Sequence, residues 1–242
     1  MHKNEKQAVA LINALHDYPE MPWPLQKLHG RALVWYTCRP LLMPQINEVI
    51  LLLPSRWHES FKQVLGPGVT YWVLEDVRDF GQAILQTEDH FKNFQGDILL
   101  ADARQPLLPP DFIRALMRHP LPPEAVACIP SISRPAQTDG YWGMELNEQG
   151  HVVRICSREE NIETPQYTAL PWRFEWDCLQ RALYQVENAR GERPLHSVIE
   201  KVLDNGFIVT SIPWDNPQVV LTVNNPQEYL IAEKFVTHAG ES

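Results

Sequence analysis

The sequence predicts an α/β fold in one domain: a mostly parallel sheet with helices on both faces. Three observations carry this. Short, continuous apolar runs alternate with helical stretches, which is the pattern of βα units. The chain has 242 residues, 44% of them hydrophobic, enough to bury one large core. Its 21 prolines and 11 glycines are spread along the chain as breaks and form no low-complexity linker.

The elements follow in order. Glu5–Tyr18 carries Val9, Leu11, Ile12 and Leu15 at helical spacing, so it reads as an amphipathic helix stopped by Pro19, Pro22 and Pro24. A helix is expected around Ala32–Leu42. Glu48–Leu53 (EVILLL) reads as a buried strand, His58–Leu65 as a short helix, and Val69–Leu74 as a second strand. Phe80–His90 reads as a helix, Asp97–Ala101 as a third strand, Pro110–Arg118 as a helix and Ala125–Ile129 as a fourth strand. The stretch at about 131–168 breaks this rhythm. Tyr141–Leu146 and His151–Cys156 flank Asn147–Gly150, which predicts an inserted β-hairpin arm. Helices over Trp176–Glu187 and Pro194–Asn205, strands over Phe207–Pro213 and Val219–Val223, and a helix over Pro226–Val236 complete the series.

Composition narrows the function. The net charge of −9 and the lack of any basic run argue against nucleic-acid binding. No apolar run approaches the ~20 residues that span a bilayer. The N-terminus shows no small-residue cleavage site, so no signal peptide is expected. Cys38, Cys128, Cys156 and Cys178 are widely spaced, with no CxxC pair. They read as reduced, buried thiols of a cytoplasmic protein. There is no HExxH, no GxSxG and no Walker-type glycine loop.

Two strand ends are polar, and open α/β sheets bind ligands there. Asp102 leaves the strand of DILLADARQP; it suits either a divalent cation or a turn cap. In Thr222-Val223-Asn224-Asn225-Pro226, Asn225 is placed to cap the last helix, which leaves Asn224 to face a ligand. Trp23, Trp57, Trp142 and Trp172 are either core residues or platforms for a base or sugar.

The order of these segments resembles the nucleotidyltransferase superfamily, with its Rossmann-like, glycosyltransferase-A-type fold. The similarity is nearest to the methylerythritol-phosphate cytidylyltransferases of isoprenoid biosynthesis. It covers about Pro22 to Val236. Pro22–Leu33 (PWPLQKLHGRAL) is similar to the family's Pro-Lys-x-x-x-x-Leu-x-Gly-Lys-x-Leu. DILLADARQPLL, ending at Leu108, is similar to the strand before Asp-Ala-Ala-Arg-Pro. Leu170–Leu183 resembles the Thr-Pro-Gln-x-Phe segment, and Thr222–Glu233 the closing stretch.

The resemblance implies that Asp102 stands on the metal side of the site, holding Mg²⁺ if the protein is active. It implies that Arg78 and Gly81 lie near base recognition, and that Gln105, Thr222 and Asn224 face substrate. Arg104 neighbours the family's arginine position, which falls on Gln105. The family's glycine-rich phosphate loop falls on Ala10–Asp17, which has neither glycine nor arginine. Its two lysines fall on Trp23 and Thr222. Nucleotidyl transfer needs cations to stabilise an in-line transition state. The expectation is therefore a degenerate, nucleotidyltransferase-like protein without ordinary activity, acting through binding or assembly. One alternative is a divergent CTP- or UTP-dependent enzyme acting on a sugar- or polyol-phosphate, with its loop rebuilt by His16, Arg31 or Arg104. Another is glycosyl transfer on the same scaffold. The expected partners are a nucleotide or sugar-phosphate and a second copy, joined through the hairpin as a homodimer.

Overall fold

A computed structural model of the chain describes residues 7–16, 21–133, 141–156 and 166–236. The strands are β1 (Gln7–Asn13), β2 (Lys27–Leu28), β3 (Arg31–Ala32), β4 (Glu48–Leu53), β5 (Thr70–Val73) and β6 (Gly96–Asp102). They continue with β7 (Ala125–Ser133), β8 (Trp142–Leu146), β9 (Val152–Cys156), β10 (Gln166–Thr168), β11 (Trp172–Glu175) and β12 (Ile208–Trp214). The α-helices are α1 (Leu33–Cys38), α2 (His58–Leu65), α3 (Phe80–Gln86), α4 (Pro110–Arg118), α5 (Trp176–Gln185), α6 (Leu195–Asp204) and α7 (Pro226–Val236).

Apart from the β2–β3 ladder, the described strands form one mixed sheet in the order β5-β4-β1-β6-β11-β7-β10-β8-β9, with β12 on the other flank of β7. The β5-β4-β1-β6 half is parallel, as is β7 with β12. β11 inserts antiparallel between β6 and β7, and β10 and the hairpin continue antiparallel. The hairpin is built into the sheet, and Met144, Val152, Ile155 and Cys156 are buried. Asn147 makes its turn by accepting from the backbone N–H groups of Gln149 and His151.

The core divides by strand alternation. Val9, Leu11, Ile50, Leu52, Ile98 and Leu100 face one side, against α3, α5 and α6. Ala10, Ile12, Leu51, Leu53, Leu99 and Ala101 face the other, against α1, α2 and α4. This is the expected helix layer on each face.

The first expected helix is corrected. Residues 7–13 form the central strand β1, paired on both edges with β4 and β6; residues 1–6 and 17–20 lie outside the described set. A strand buried on both faces is apolar at every position, so helical spacing occurs within it by coincidence. The expected strand at Val219–Val223 is also corrected: Pro217–Val220 is a 3₁₀ turn capped by Asn216. Phe80–His90 is α3 followed, after Thr87, by a separate 3₁₀ turn at Glu88–Phe91. Strands β10 and β11 had no counterpart in the sequence reading.

Candidate functional site

The carboxyl ends of β1 and β6 lie side by side, Asn13 opposite Asp102 in register. The loops that leave them meet the segment before α7. His16, Asp102, Arg104, Gln105, Trp142, Ala169, Leu170, Thr222 and Asn224 line a cavity of about 270 Å³ here.

Asp102 is at its centre. Its carboxylate accepts from the Arg104 guanidinium at both oxygens, from Nε at 2.8 Å and from Nη2 at 2.7 Å. Oδ1 also accepts the Arg104 backbone N–H at 3.0 Å, so the turn-cap role is present as well. His16 Nε2 lies 3.0 Å from Oδ2; an ionised carboxylate only accepts, so the imidazole donates. Asn13 Nδ2 is 3.2 Å from the same imidazole nitrogen. Burial would push the Asp102 carboxyl up, but Arg104 and His16 outweigh it and hold the group well below the usual carboxylate range.

Arg104 also donates through Nη1 to Asn224 Oδ1. Asn224 is itself fixed, its Nδ2 donating to the Thr222 carbonyl at 2.9 Å and its backbone N–H to Glu228 at 2.6 Å. Asn225 caps α7 through Gln227 and Glu228, with Pro226 at the first helical position. Gln105 is buried and structural: its Nε2 donates to the carbonyls of Leu170 and Val220 at 2.6 and 3.2 Å.

The fold therefore brings Asp102, Arg104, Gln105, Thr222 and Asn224 together. Arg78 and Gly81 do not line this cavity. Arg78 donates to the Arg190 carbonyl, and Gly81 gives room for the Arg193 backbone to pass. Arg31 stacks on Trp35, 4.2 Å from its ring centre. Trp23 packs on Tyr229 and Trp172 is fully buried, so neither is a platform in this cavity. Trp142 does reach the cavity and packs on Trp172. Sequence reading missed Asn13, whose signal was its place at the end of what is in fact a strand.

As paired in this structure, the described lining residues leave no carboxylate oxygen uncommitted for a Mg²⁺ ion. Mg²⁺ takes carboxylate oxygens and water in near-ideal octahedral geometry. Asp102 is the one carboxylate among the described lining residues, and a guanidinium holds both its oxygens. No cluster of three or more His, Cys, Asp or Glu suited to a metal exists among the described residues.

The described residues form an α/β sheet with a polar pocket at its parallel strand ends, and Trp142 of the hairpin lines that pocket. Two solved structures share this fold along nearly their whole length. CMP:2-keto-3-deoxy-manno-octonic acid synthetase, complexed with CTP, matches 96% of this chain and 99% of its own, with TM-score 0.74 and 13% identity. 4-diphosphocytidyl-2C-methyl-D-erythritol synthase matches 96% and 98%, with TM-score 0.67 and 13% identity. In sequence, the chain is similar to the bifunctional protein GlmU of Aquifex aeolicus, 22% identical over 236 residues. That match takes in 90% of this chain and 50% of the relative. GlmU of Geobacillus thermodenitrificans is 28% identical over 184 residues, 74% of this chain and 40% of the relative. The chain thus spans about half the length of the curated relatives it matches, or less. No known family profile matches it. Among the described residues no helix is long and apolar enough to cross a membrane.

Proposed function

We propose that this protein binds a nucleotide or sugar-phosphate at the Asp102 pocket and lacks ordinary nucleotidyl transfer. The observation that carries the reading is the closed pairing of Asp102 with Arg104. A carboxylate with both oxygens committed to a guanidinium is not available to a metal–triphosphate complex. The sequence supports this independently. No glycine or arginine lies in Ala10–Asp17, and Trp23 and Thr222 stand where the resemblance expects lysines. Losing these groups together removes most of the electrostatic stabilisation that phosphoryl chemistry requires. Trp142, Arg104 and His16 line the cavity together, an aromatic ring beside polar and cationic groups, which suits a ligand with a ring and an anionic group.

Thermal-shift measurements with CTP, UTP and nucleotide-sugars test the binding half. A ligand that binds only the folded state raises the midpoint. No shift with any of them at millimolar concentration would sink it. The catalytic half is tested by pyrophosphate release from CTP or UTP with sugar- and polyol-phosphates. We expect none; release that Asp102→Ala abolishes would establish the second reading, a divergent nucleotidyltransferase. The convergence of His16 and Arg104 at the strand ends is what favours that reading.

A two-fold homodimer and a cytoplasmic location belong to the same proposal. All four cysteines are buried thiols outside any disulfide, which supports a reducing compartment. Deleting the hairpin would open the core, so sedimentation of the intact chain is the suitable test. Val153, half exposed on β9, is the position at which a Glu should dissociate a hairpin-mediated dimer.

A further inference from the structure

We infer that Arg104 is the resident cation of this pocket, filling an oxygen cage that a divalent metal ion would otherwise take. Three oxygens converge on its guanidinium: Asp102 Oδ1, Asp102 Oδ2 and Asn224 Oδ1. Carboxylate and amide oxygens are the donors that hard divalent cations choose. Each of the three is fixed from behind. Asp102 ends a strand that is buried along its whole length. The Asn224 amide is oriented by its own donation to the Thr222 carbonyl, which turns Oδ1 towards the arginine.

The guanidinium is as firmly placed. The Arg104 backbone donates to Asp102 Oδ1 at 3.0 Å, and its carbonyl accepts the Val223 N–H at 2.9 Å. The side chains of Arg104 and Asp102 are only 16% and 8% exposed. An arginine does not deprotonate in a protein, so raising the pH does not empty the cage. A planar fork also matches a carboxylate better than a lysine would. The Asp102 charge is therefore balanced by a covalently attached cation where a metal-dependent site keeps an exchangeable one. A ligand entering here meets a carboxylate already neutralised, without needing a divalent ion. The ligand part of this inference rests on the binding role proposed above; the metal part does not.

Mn²⁺ is the probe, because its binding is read directly by electron paramagnetic resonance on the full chain. Wild type should bind no Mn²⁺ at this site. Arg104→Ala should uncover the cage and raise Mn²⁺ affinity by about tenfold or more, about 1.4 kcal/mol. Adding Asp102→Asn should remove that gain. Arg104→Gln, which keeps much of the side-chain bulk, repeats the measurement if the alanine variant does not fold by circular dichroism. Wild-type Mn²⁺ binding that Asp102→Asn abolishes would overturn the inference. So would folded Arg104 variants that gain nothing. In a second arm, the CTP thermal shift should be equal in EDTA and in Mg²⁺, and a shift that requires Mg²⁺ overturns the claim. Absence of any CTP shift counts against the proposed binding role alone, and the Mn²⁺ result then decides the cage.

Discussion

Arg104 grips both carboxylate oxygens of Asp102 from two residues further along the chain, at 2.7 and 2.8 Å. The pair closes the carboxyl end of β6 and faces the pocket. Its geometry sets the first prediction.

Asp102 stays ionised in the folded protein well below the range in which an unfolded aspartate takes up its proton, about pH 3.9. Its stabilising contribution is therefore fully present above about pH 4 and lost as pH falls below that towards the folded value. Asp102→Asn should flatten the acid limb of the stability curve. At neutral pH it should lower stability by about 2–4 kcal/mol, because it strands a largely buried guanidinium. Urea unfolding at several pH values checks both. A variant with the wild-type acid slope would contradict the assignment.

A second buried pair lies lower in the same strand. Arg173 on β11 pairs with Asp97 on β6 at 2.6 and 2.8 Å. Its Nη1 also takes the carbonyls of Leu116, Met117 and His119, which the end of α4 leaves unpaired. Arg173→Met should cost about 3–5 kcal/mol, since the buried Asp97 carboxylate loses its guanidinium. Combining it with Asp97→Leu should recover part of the loss, read as a non-additive urea midpoint.

Gly81 marks a close backbone crossing. A Cβ there would overlap the Arg193 carbonyl and stand 2.8 Å from the Arg193 Cβ. The Arg193 backbone is held by its N–H to Asp79, so it has little room to yield. Gly81→Ala should destabilise by about 1–3 kcal/mol. Ligand-induced thermal shifts should be unchanged, because residue 81 does not line the pocket.

Burial pushes the Cys38 thiol up to about 12 and the Cys128 thiol up to about 11. Cys156 and Cys178 are buried too. A thiol-disulfide reagent near pH 8 should leave the native protein untouched. After unfolding, all four cysteines should react, because an unfolded thiol ionises near pH 8.5. Rapid reaction in the native state would refute this burial.

Much of the fold was legible residue by residue. Glu48–Leu53, His58–Leu65, Pro110–Arg118 and Pro226–Val236 have the boundaries their sequence implies. Each is bounded by a local signal that needs no distant partner, such as the Gly66-Pro67-Gly68 stop or the Asn225 cap. The candidate site was partly legible. Asp102, Arg104, Thr222 and Asn224 could be singled out, because polar residues that follow an apolar run are visible in a linear sequence, even where, as before Thr222, the run is a turn and not a strand.

The sequence by itself determined the α/β class, the polar residues after DILLA and before the last helix, and the lack of glycine and arginine in Ala10–Asp17. The tertiary structure alone decided that Gln7–Asn13 is the central strand. That choice depends on pairing with β4 and β6, whose hydrogen bonds no local periodicity can report. It alone decided that Trp172 is core and Trp142 faces the pocket, since β11 and the hairpin had first to find their places in the sheet. It alone turned Asp102 from an available carboxylate into a paired one. Arg104 is two residues away in the chain, but its guanidinium is aimed by Asn224, 120 residues distant. Packing supplies that direction, and composition cannot.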